Sequence, residues 1–286
     1  MTNKSGFRLG LLSGIISVFL LLSSLGTSCL VGPGANGPRP VNLATDLDEI
    51  DSRMRATVAF VDPETERIFC SGFFVSGRQI ISAAHCFEAT VPFAMPNGDV
   101  IQLPSGISPQ GEVVHFITYD DLDMVTNHFV SPPQEATIVY HSGQDDLVIL
   151  ELNLPARDSQ FTFSFAEIRP RVGSQAYGIG HPYRLAWSFE SGIISRVVQN
   201  PSNGRIILLQ ASVPVAGGNS GGPLLDSEGN LIGMALAFVD RLPHLSIFIS
   251  AEQIRAQMRM HWAQQLIMAY EQRTNEEAQN QSESHE

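Results

Sequence analysis

The chain has 286 residues, 43% of them hydrophobic, and a net charge of −12 at neutral pH. That length suits one large domain or two modest ones with a sizeable buried core. The acidic balance argues against nucleic acid and anionic membrane surfaces as partners, since both repel a negative protein.

Lys4 and Arg8 precede residues 9–30, which carry no charged side chain and are mostly Leu, Ile, Val, Ser and Gly. A positive start followed by an apolar stretch is the pattern of an export signal. The end of the stretch, Gly26-Thr27-Ser28-Cys29, admits cleavage after Ser28 or lipid attachment to Cys29 in a relaxed lipobox. The uncharged run is also just long enough to remain as a membrane anchor. All three outcomes place the rest of the chain outside the cytoplasm: periplasm, cell envelope or medium. Any membrane contact is expected through this anchor or lipid alone. Residues 1–28 are therefore read as signal peptide or anchor. Residues 29–50, which include the Gly- and Pro-rich run VGPGANGPRP, are read as a linker. The polar stretch 41–55 suits a short helix or an arm.

From residue 51 to 270 the sequence reads as one domain of short β-runs separated by turns. The runs are 56–61, 68–75, 79–84, 113–117, 136–140, 147–152, 174–179, 188–198, 205–210, 222–225, 231–238 and 245–249. Many short strands with Gly, Pro and Asn between them predict an all-β sandwich or a pair of barrels. One helix follows. Ser250 with Gln253 three positions on forms a capping-box pattern, and Ile254, Met258, Trp262 and Leu266 recur every four residues as an apolar stripe for packing on a barrel. Arg255 and Arg259 are too few basic residues for a membrane face. The Glu-rich stretch 271–286 has no apolar run and is expected to be disordered.

Two motifs carry chemistry. Gly218-Asn219-Ser220-Gly221-Gly222-Pro223 places a serine between glycines, where a tight loop exposes the hydroxyl and lets a carbonyl approach the backbone. Such a serine needs a base, because its hydroxyl is almost never ionised near neutral pH. Ser82-Ala83-Ala84-His85-Cys86 offers one. Read separately, the first could be only a Gly-rich turn and the second only a strand end. Together they resemble the nucleophile and base segments of chymotrypsin-type serine peptidases. Two further segments, Ala176-Tyr177-Gly178-Ile179-Gly180-His181-Pro182-Tyr183 and Ser191-Gly192-Ile193-Ile194-Ser195, resemble Ala-Ile-Gly-Asn-Pro-Phe and Ser-Gly-Ile-Val-Ser of HtrA/DegP-type peptidases. The likeness spans roughly 56–250, without a PDZ domain.

The resemblance implies a chymotrypsin-like fold, all-β, with two six-stranded antiparallel barrels and the triad at their interface. It implies His85 as base and Ser220 as nucleophile, with the acid directly before an apolar strand. Asp146, ahead of Leu147-Val148-Ile149-Leu150, holds that place; Asp121 and Asp123 are the rivals, and Asp145 would be an exposed neighbour. The amides of Gly218 and Ser220 would form the oxyanion hole. Cys70 and Cys86, 16 positions apart, match the disulfide that brackets the catalytic histidine in the family; two reduced core cysteines are the alternative. Asn219 stands where trypsin carries the Asp that receives a freed N-terminus, so activation by N-terminal insertion is not expected. The substrate pocket would be built from Pro214, Ala235, Leu236, Ala237 and Phe238, none charged, which predicts small or aliphatic side chains before the cut. His181 reads as a surface or structural histidine. No metal or cofactor is expected: the histidines show no ligand spacing with Cys or paired acids, and no glycine loop suits a phosphate. The implied activity is hydrolysis of protein or peptide substrates. A non-catalytic, chaperone-like binding module or an esterase on the same fold are the alternatives.

Overall fold

The computed structural model describes residues 42–94, 100–104, 108–126, 128–185, 187–238 and 245–283. The export stretch, Cys29 and most of the linker lie outside the described residues.

Helix α1 (Leu47–Arg55) starts at Asp46, whose carboxylate accepts the Glu49 amide as an N-cap. Leu43 is fully buried and its amide donates to the Ser227 carbonyl at 3.0 Å. The end of the expected linker is thus docked structure, because a buried leucine and a capped helix anchor it.

The first part of the domain contains β1 (Thr57–Asp62), β2 (Arg67–Ser76), β3 (Gln79–Ser82), β4 (Thr90–Ala94), β5 (Val100–Pro104), β6 (Val113–Ile117), β7 (Leu122–Asp123), β8 (His128–Phe129), β9 (Gln134–Ser142) and β10 (Leu147–Glu151). Six of them close a barrel in the order β1-β2-β3-β10-β9-β6, while β4–β5 and β7–β8 are separate two-stranded excursions. The second part contains β11 (Gln175–Gly180), β12 (Ser188–Gln199), β13 (Ile206–Ala211), β14 (Pro223–Leu225), β15 (Leu231–Phe238) and β16 (Ser246–Ser250). They close in the order β11-β12-β13-β16-β15-β14, and every pairing is antiparallel. The fold is two closed antiparallel barrels of six strands each followed by a long helix.

Strand period explains why several runs look uniformly apolar. Phe74, Ile80, Val148 and Leu150 fill the first barrel, while their neighbours Phe73, Ile81, Leu147 and Ile149 point to the opposite face. There they join Tyr177, Ile179, Met234 and Ile249 in a core between the barrels. A strand buried on both faces loses the polar alternation of a half-exposed one. Ala176, Ile194, Leu209, Leu224 and Phe248 fill the second barrel.

Helix α2 (Ala251–Glu283) begins as expected and then departs from expectation. The Gln253 amide donates to Ser250 Oγ at 3.1 Å, but the Gln253 side chain donates to Asp145 Oδ1 at 2.8 Å, so only half of the capping box forms. Ile254 and Met258 are buried; Trp262 and Leu266 are 41% and 73% exposed. A helix of 33 residues is about 50 Å long and outruns the barrel that its first turns cover. The stripe therefore packs only over its first half. The stretch expected to be disordered continues the helix to Glu283, since no Gly or Pro interrupts it and Glu, Gln, Ala and Arg are sound helix formers. Among the described residues no helix is long and apolar enough to cross a membrane.

Candidate active site

Strand register brings the histidine and the carboxylate together. Ser82 of β3 pairs with Val148 of β10, and the chain leaves β3 into a 3-10 turn over Ala84–Cys86 as the other enters β10 from Asp146. Asp146 Oδ2 accepts from His85 Nδ1 at 2.7 Å and Asp146 Oδ1 accepts the His85 backbone amide at 2.8 Å. One carboxylate thus grips both the ring and the backbone of one residue. Asp146 does so from a left-handed backbone conformation, φ +48°, which aspartate tolerates better than most residues. With the proton held on Nδ1, Nε2 keeps its lone pair. The His85 pKa is raised above its ordinary value, chiefly by the hydrogen bond to Asp146, against the opposing effect of burial.

Neither rival acid approaches this geometry. Asp121 is buried as a cap on Thr118 and pairs with Arg157 at 2.6 Å. Asp123 closes a turn by accepting the amides of Val125 and Thr126, which hold its carboxyl below the usual range. Asp145 is partly buried rather than exposed: it accepts from Ser142 Oγ at 3.1 Å and from Gln253 at 2.8 Å. The helix after the second barrel therefore ties down the residue next to Asp146.

The Ser220 loop is held from several sides. Asn219 N–H donates to the Ala216 carbonyl at 3.0 Å, Gly221 N–H to Ala235 at 2.9 Å and Gly222 N–H to Asn219 at 2.9 Å. Among the described hydrogen bonds the amides of Gly218 and Ser220 have no acceptor. Gly218 and Gly221 adopt φ of +102° and +83°, and a Cβ at either would meet a carbonyl oxygen, of His181 and Ser71 respectively, at 2.2 Å. Only glycine fits there. The Ser220 carbonyl accepts the Ser71 amide at 2.9 Å. Among the described residues Ser220 Oγ and His85 Nε2 form no hydrogen bond.

Cys70 of β2 and Cys86 of the 3-10 turn are joined by a disulfide with Cα atoms 6.2 Å apart. Cys70, His85 and Cys86 are also the one group among the described residues with metal-ligand spacing, but a disulfide commits both sulfurs and leaves a single donor. Unfolding in denaturant is expected to show a loss of about 3 kcal/mol for the Cys70→Ala/Cys86→Ala double variant, as for a loop of roughly this size. Alkylation of both thiols in native, non-reduced protein would show that the bridge does not form.

Of the expected pocket residues, Pro214 and Ala235 line one cavity together with Asn219, Val213, Val215 and Glu190. Pro214 is exposed at its rim, and Leu236 packs partly buried against the core between the barrels. The side chains of Ala237 and Phe238 lie outside the described residues. Glu190 was not legible as a pocket residue. It sits on β12, and only its pairing with Gly178 of β11 brings it to this cavity, where Ser188 Oγ donates to it at 2.8 Å. His181 is fully buried and its pKa is pushed down to about 3 by that burial. Its Nδ1 lies 2.8 Å from Ser71 Oγ, a partnership no local pattern announces.

Two closed antiparallel barrels, with a carboxylate-held histidine from the first and a glycine-flanked serine from the second, define the chymotrypsin-like class. The chain belongs to the trypsin-like peptidase domain family, whose match covers residues 70–234. It is 29% identical over 148 residues to a probable periplasmic serine endoprotease, DegP-like, of Brucella suis, covering 47% of this chain and 29% of the relative. It is 28% identical over 130 residues to the periplasmic pH-dependent serine endoprotease DegQ of Escherichia coli, covering 41% of this chain and 28% of that protein. The chain thus spans under a third of the length of these curated relatives. Among solved structures, the active form of the Rv3671c protease from M. tuberculosis superposes with a TM-score of 0.53 at 18% identity, covering 80% of this chain and 93% of that one. That likeness bears on the fold alone.

Proposed function

We propose that this protein is an extracytoplasmic serine endopeptidase. The observation that carries the reading is the double grip of Asp146 on His85, which leaves Nε2 bare as a base on the barrel facing a glycine-flanked serine. Ser220 Oγ attacks a peptide carbonyl carbon while its proton passes to His85 Nε2. The Gly218 and Ser220 amides receive the developing oxyanion. The C–N bond then breaks as His85 returns the proton to the leaving amine, and an ester to Ser220 remains. Water attacks that ester with His85 as base, and Ser220 regains its proton. Asp146 fixes the tautomer and stabilises the imidazolium without taking the proton. Among the described residues Ser220 Oγ and His85 Nε2 form no hydrogen bond, and the proposed step requires that contact to close when substrate binds. Trapping with a fluorophosphonate probe is the test: mass spectrometry is expected to find the adduct on Ser220, and labelling that survives Ser220→Ala would overturn the assignment.

The extracytoplasmic location rests on the uncharged stretch 9–30 and on relatives named as periplasmic. Intact mass of the exported protein separates a lipid on Cys29 from cleavage after Ser28 or a retained anchor.

Small or aliphatic side chains are the expected choice before the cut, since Pro214, Val213, Val215 and Ala235 give an apolar lining and Glu190 is engaged by Ser188. Digestion of a peptide library reads this directly. Dominant cleavage after Arg or Lys that disappears in Glu190→Gln would assign Glu190 as the specificity group instead.

A further inference from the structure

We propose that Ser71 and His181 are positioning residues of the oxyanion hole: a hydrogen-bond chain from the imidazole through the Ser71 hydroxyl to the Gly218 carbonyl holds the loop so that the Gly218 amide faces the reacting carbonyl. This rests on the reading of Ser220 as nucleophile.

Ser71 grips the nucleophile loop twice. Its amide donates to the Ser220 carbonyl at 2.9 Å and its hydroxyl donates to the Gly218 carbonyl at 2.7 Å. The Ser71 carbonyl is itself held by Ser82 Oγ at 2.7 Å, so this clamp is anchored in the first barrel. The direction of the chain follows from donor count. A carbonyl oxygen only accepts, so the single Ser71 hydroxyl proton goes to Gly218. His181 Nδ1, 2.8 Å from the same oxygen, must then carry a proton and donate it to Ser71. That assignment leaves Nε2 of His181 bare and buried, with no hydrogen-bond partner among the described residues. An unpartnered buried polar atom is costly, and a purely apolar ring in contact with Trp187 would avoid it. Packing alone does not explain a histidine here; the Nδ1 donor does.

A second brace acts on the preceding peptide. Tyr183 N–H donates to the Gly217 carbonyl at 2.7 Å, from a segment in which Tyr183 and Arg184 both adopt positive φ, +52° and +68°. Two consecutive non-glycine residues in that region are strained, and such strain persists only where surrounding structure imposes it. Both peptide planes flanking Gly218 are thus held through their oxygens. Were the Gly217–Gly218 peptide to rotate by half a turn, its amide would leave the hole and its carbonyl oxygen would enter. Tyr183, Ser71 and His181 oppose that rotation from both barrels.

The test uses the full chain with Ser71→Ala, His181→Leu and His181→Asn. Asn places an N–H close to where His181 Nδ1 stands, so it keeps the donor and removes the ring. Wild-type Ser220 is first shown to react with a fluorophosphonate. Ser71→Ala and His181→Leu are then expected to lower kcat on a peptide substrate by about ten- to a hundredfold, with KM changed by no more than about twofold. A peptide boronate, whose tetrahedral adduct puts an oxygen in the hole, should bind more weakly by a similar factor, while a product peptide binds as before. His181→Asn should recover most of the lost kcat. Melting curves on each variant separate loss of folded protein from loss of turnover. If wild-type Ser220 reacts but folded Ser71→Ala and His181→Leu keep their kcat and boronate affinity, the positioning role is overturned. If KM alone rises, it is overturned equally. If wild-type Ser220 does not react, the nucleophile reading itself fails and takes this proposal with it.

Discussion

Replacing Ser220 by alanine is expected to lower kcat on a peptide substrate by about 10⁶-fold, and His85→Ala by a similar factor. In the proposed mechanism the two act as one unit, because the attacking oxygen and its proton acceptor serve a single step. The Ser220→Ala/His85→Ala double variant should therefore be scarcely slower than either single one, and the amides of Gly218 and Ser220 should leave about 10³-fold over the uncatalysed rate. Stability should not follow activity. Ser220 Oγ makes no hydrogen bond among the described residues, so its removal orphans no partner, and a shift beyond about 0.5 kcal/mol would be unexpected. Steady-state kinetics with a melting curve on the same samples decides the matter. A folded Ser220→Ala protein that turns over substrate at the wild-type rate would place the nucleophile elsewhere.

Asp146→Asn is expected to cost about 10⁴-fold in kcat. The amide matches the carboxylate in shape, but an NH₂ in place of the oxygen facing Nδ1 is a donor. His85 must then present a lone pair there and carry its proton on Nε2, where the base is needed. The pH profile supplies an independent reading. The proposed mechanism requires neutral His85, whose pKa is raised above 6.5 chiefly by its hydrogen bond to Asp146. The acidic limb of kcat/KM should therefore have its midpoint above 6.5, with activity rising as pH increases through it. Removing the negative charge should move that limb downward. Stability runs the other way. A histidine with a raised folded pKa contributes its full linkage below the unfolded pKa near 6.5 and loses it as pH rises through the folded value. Wild type should accordingly lose more of its margin over Asp146→Asn as the solution becomes alkaline. Asp123→Asn serves as the control, since among the described hydrogen bonds Asp123 accepts from the amides of its own turn, Val125 and Thr126. A steeper loss for Asp123→Asn than for Asp146→Asn would transfer the acid role.

Much of the strand inventory could be read along the chain. The runs 68–75, 113–117 and 231–238 lie within a residue of β2, β6 and β15, because apolar β-branched and aromatic stretches bounded by turn residues carry their own signal. The β4–β5 and β7–β8 hairpins gave none. The first sits in a stretch broken by Pro92 and Pro96, and each strand of the second is only two residues long. Helix α2 was legible in its start and its stripe but not in how far it packs: Met258 and Trp262 share a face, yet one is buried and the other 41% exposed.

The site divides along the same line. Gly218 and Gly221 around Ser220, His85 at a strand end and Asp146 ahead of an apolar strand are local patterns, set by what a tight loop, a base and a buried strand each require. They stand in the sequence by themselves. Pairing Asp146 with His85 rather than choosing Asp121 or Asp123 needed the β3–β10 register. The tie of Gln253 to Asp145 and the arrival of Glu190 beside Pro214 needed closure of both barrels. The chain from His181 through Ser71 to Gly218 needed the barrels in contact, since Ser71 lies more than a hundred residues from both of its partners. Local chemistry depends on neighbours a few positions away and is written in order along the chain. Hydrogen bonds between barrels depend on which strand edges meet, and no periodicity or spacing encodes that.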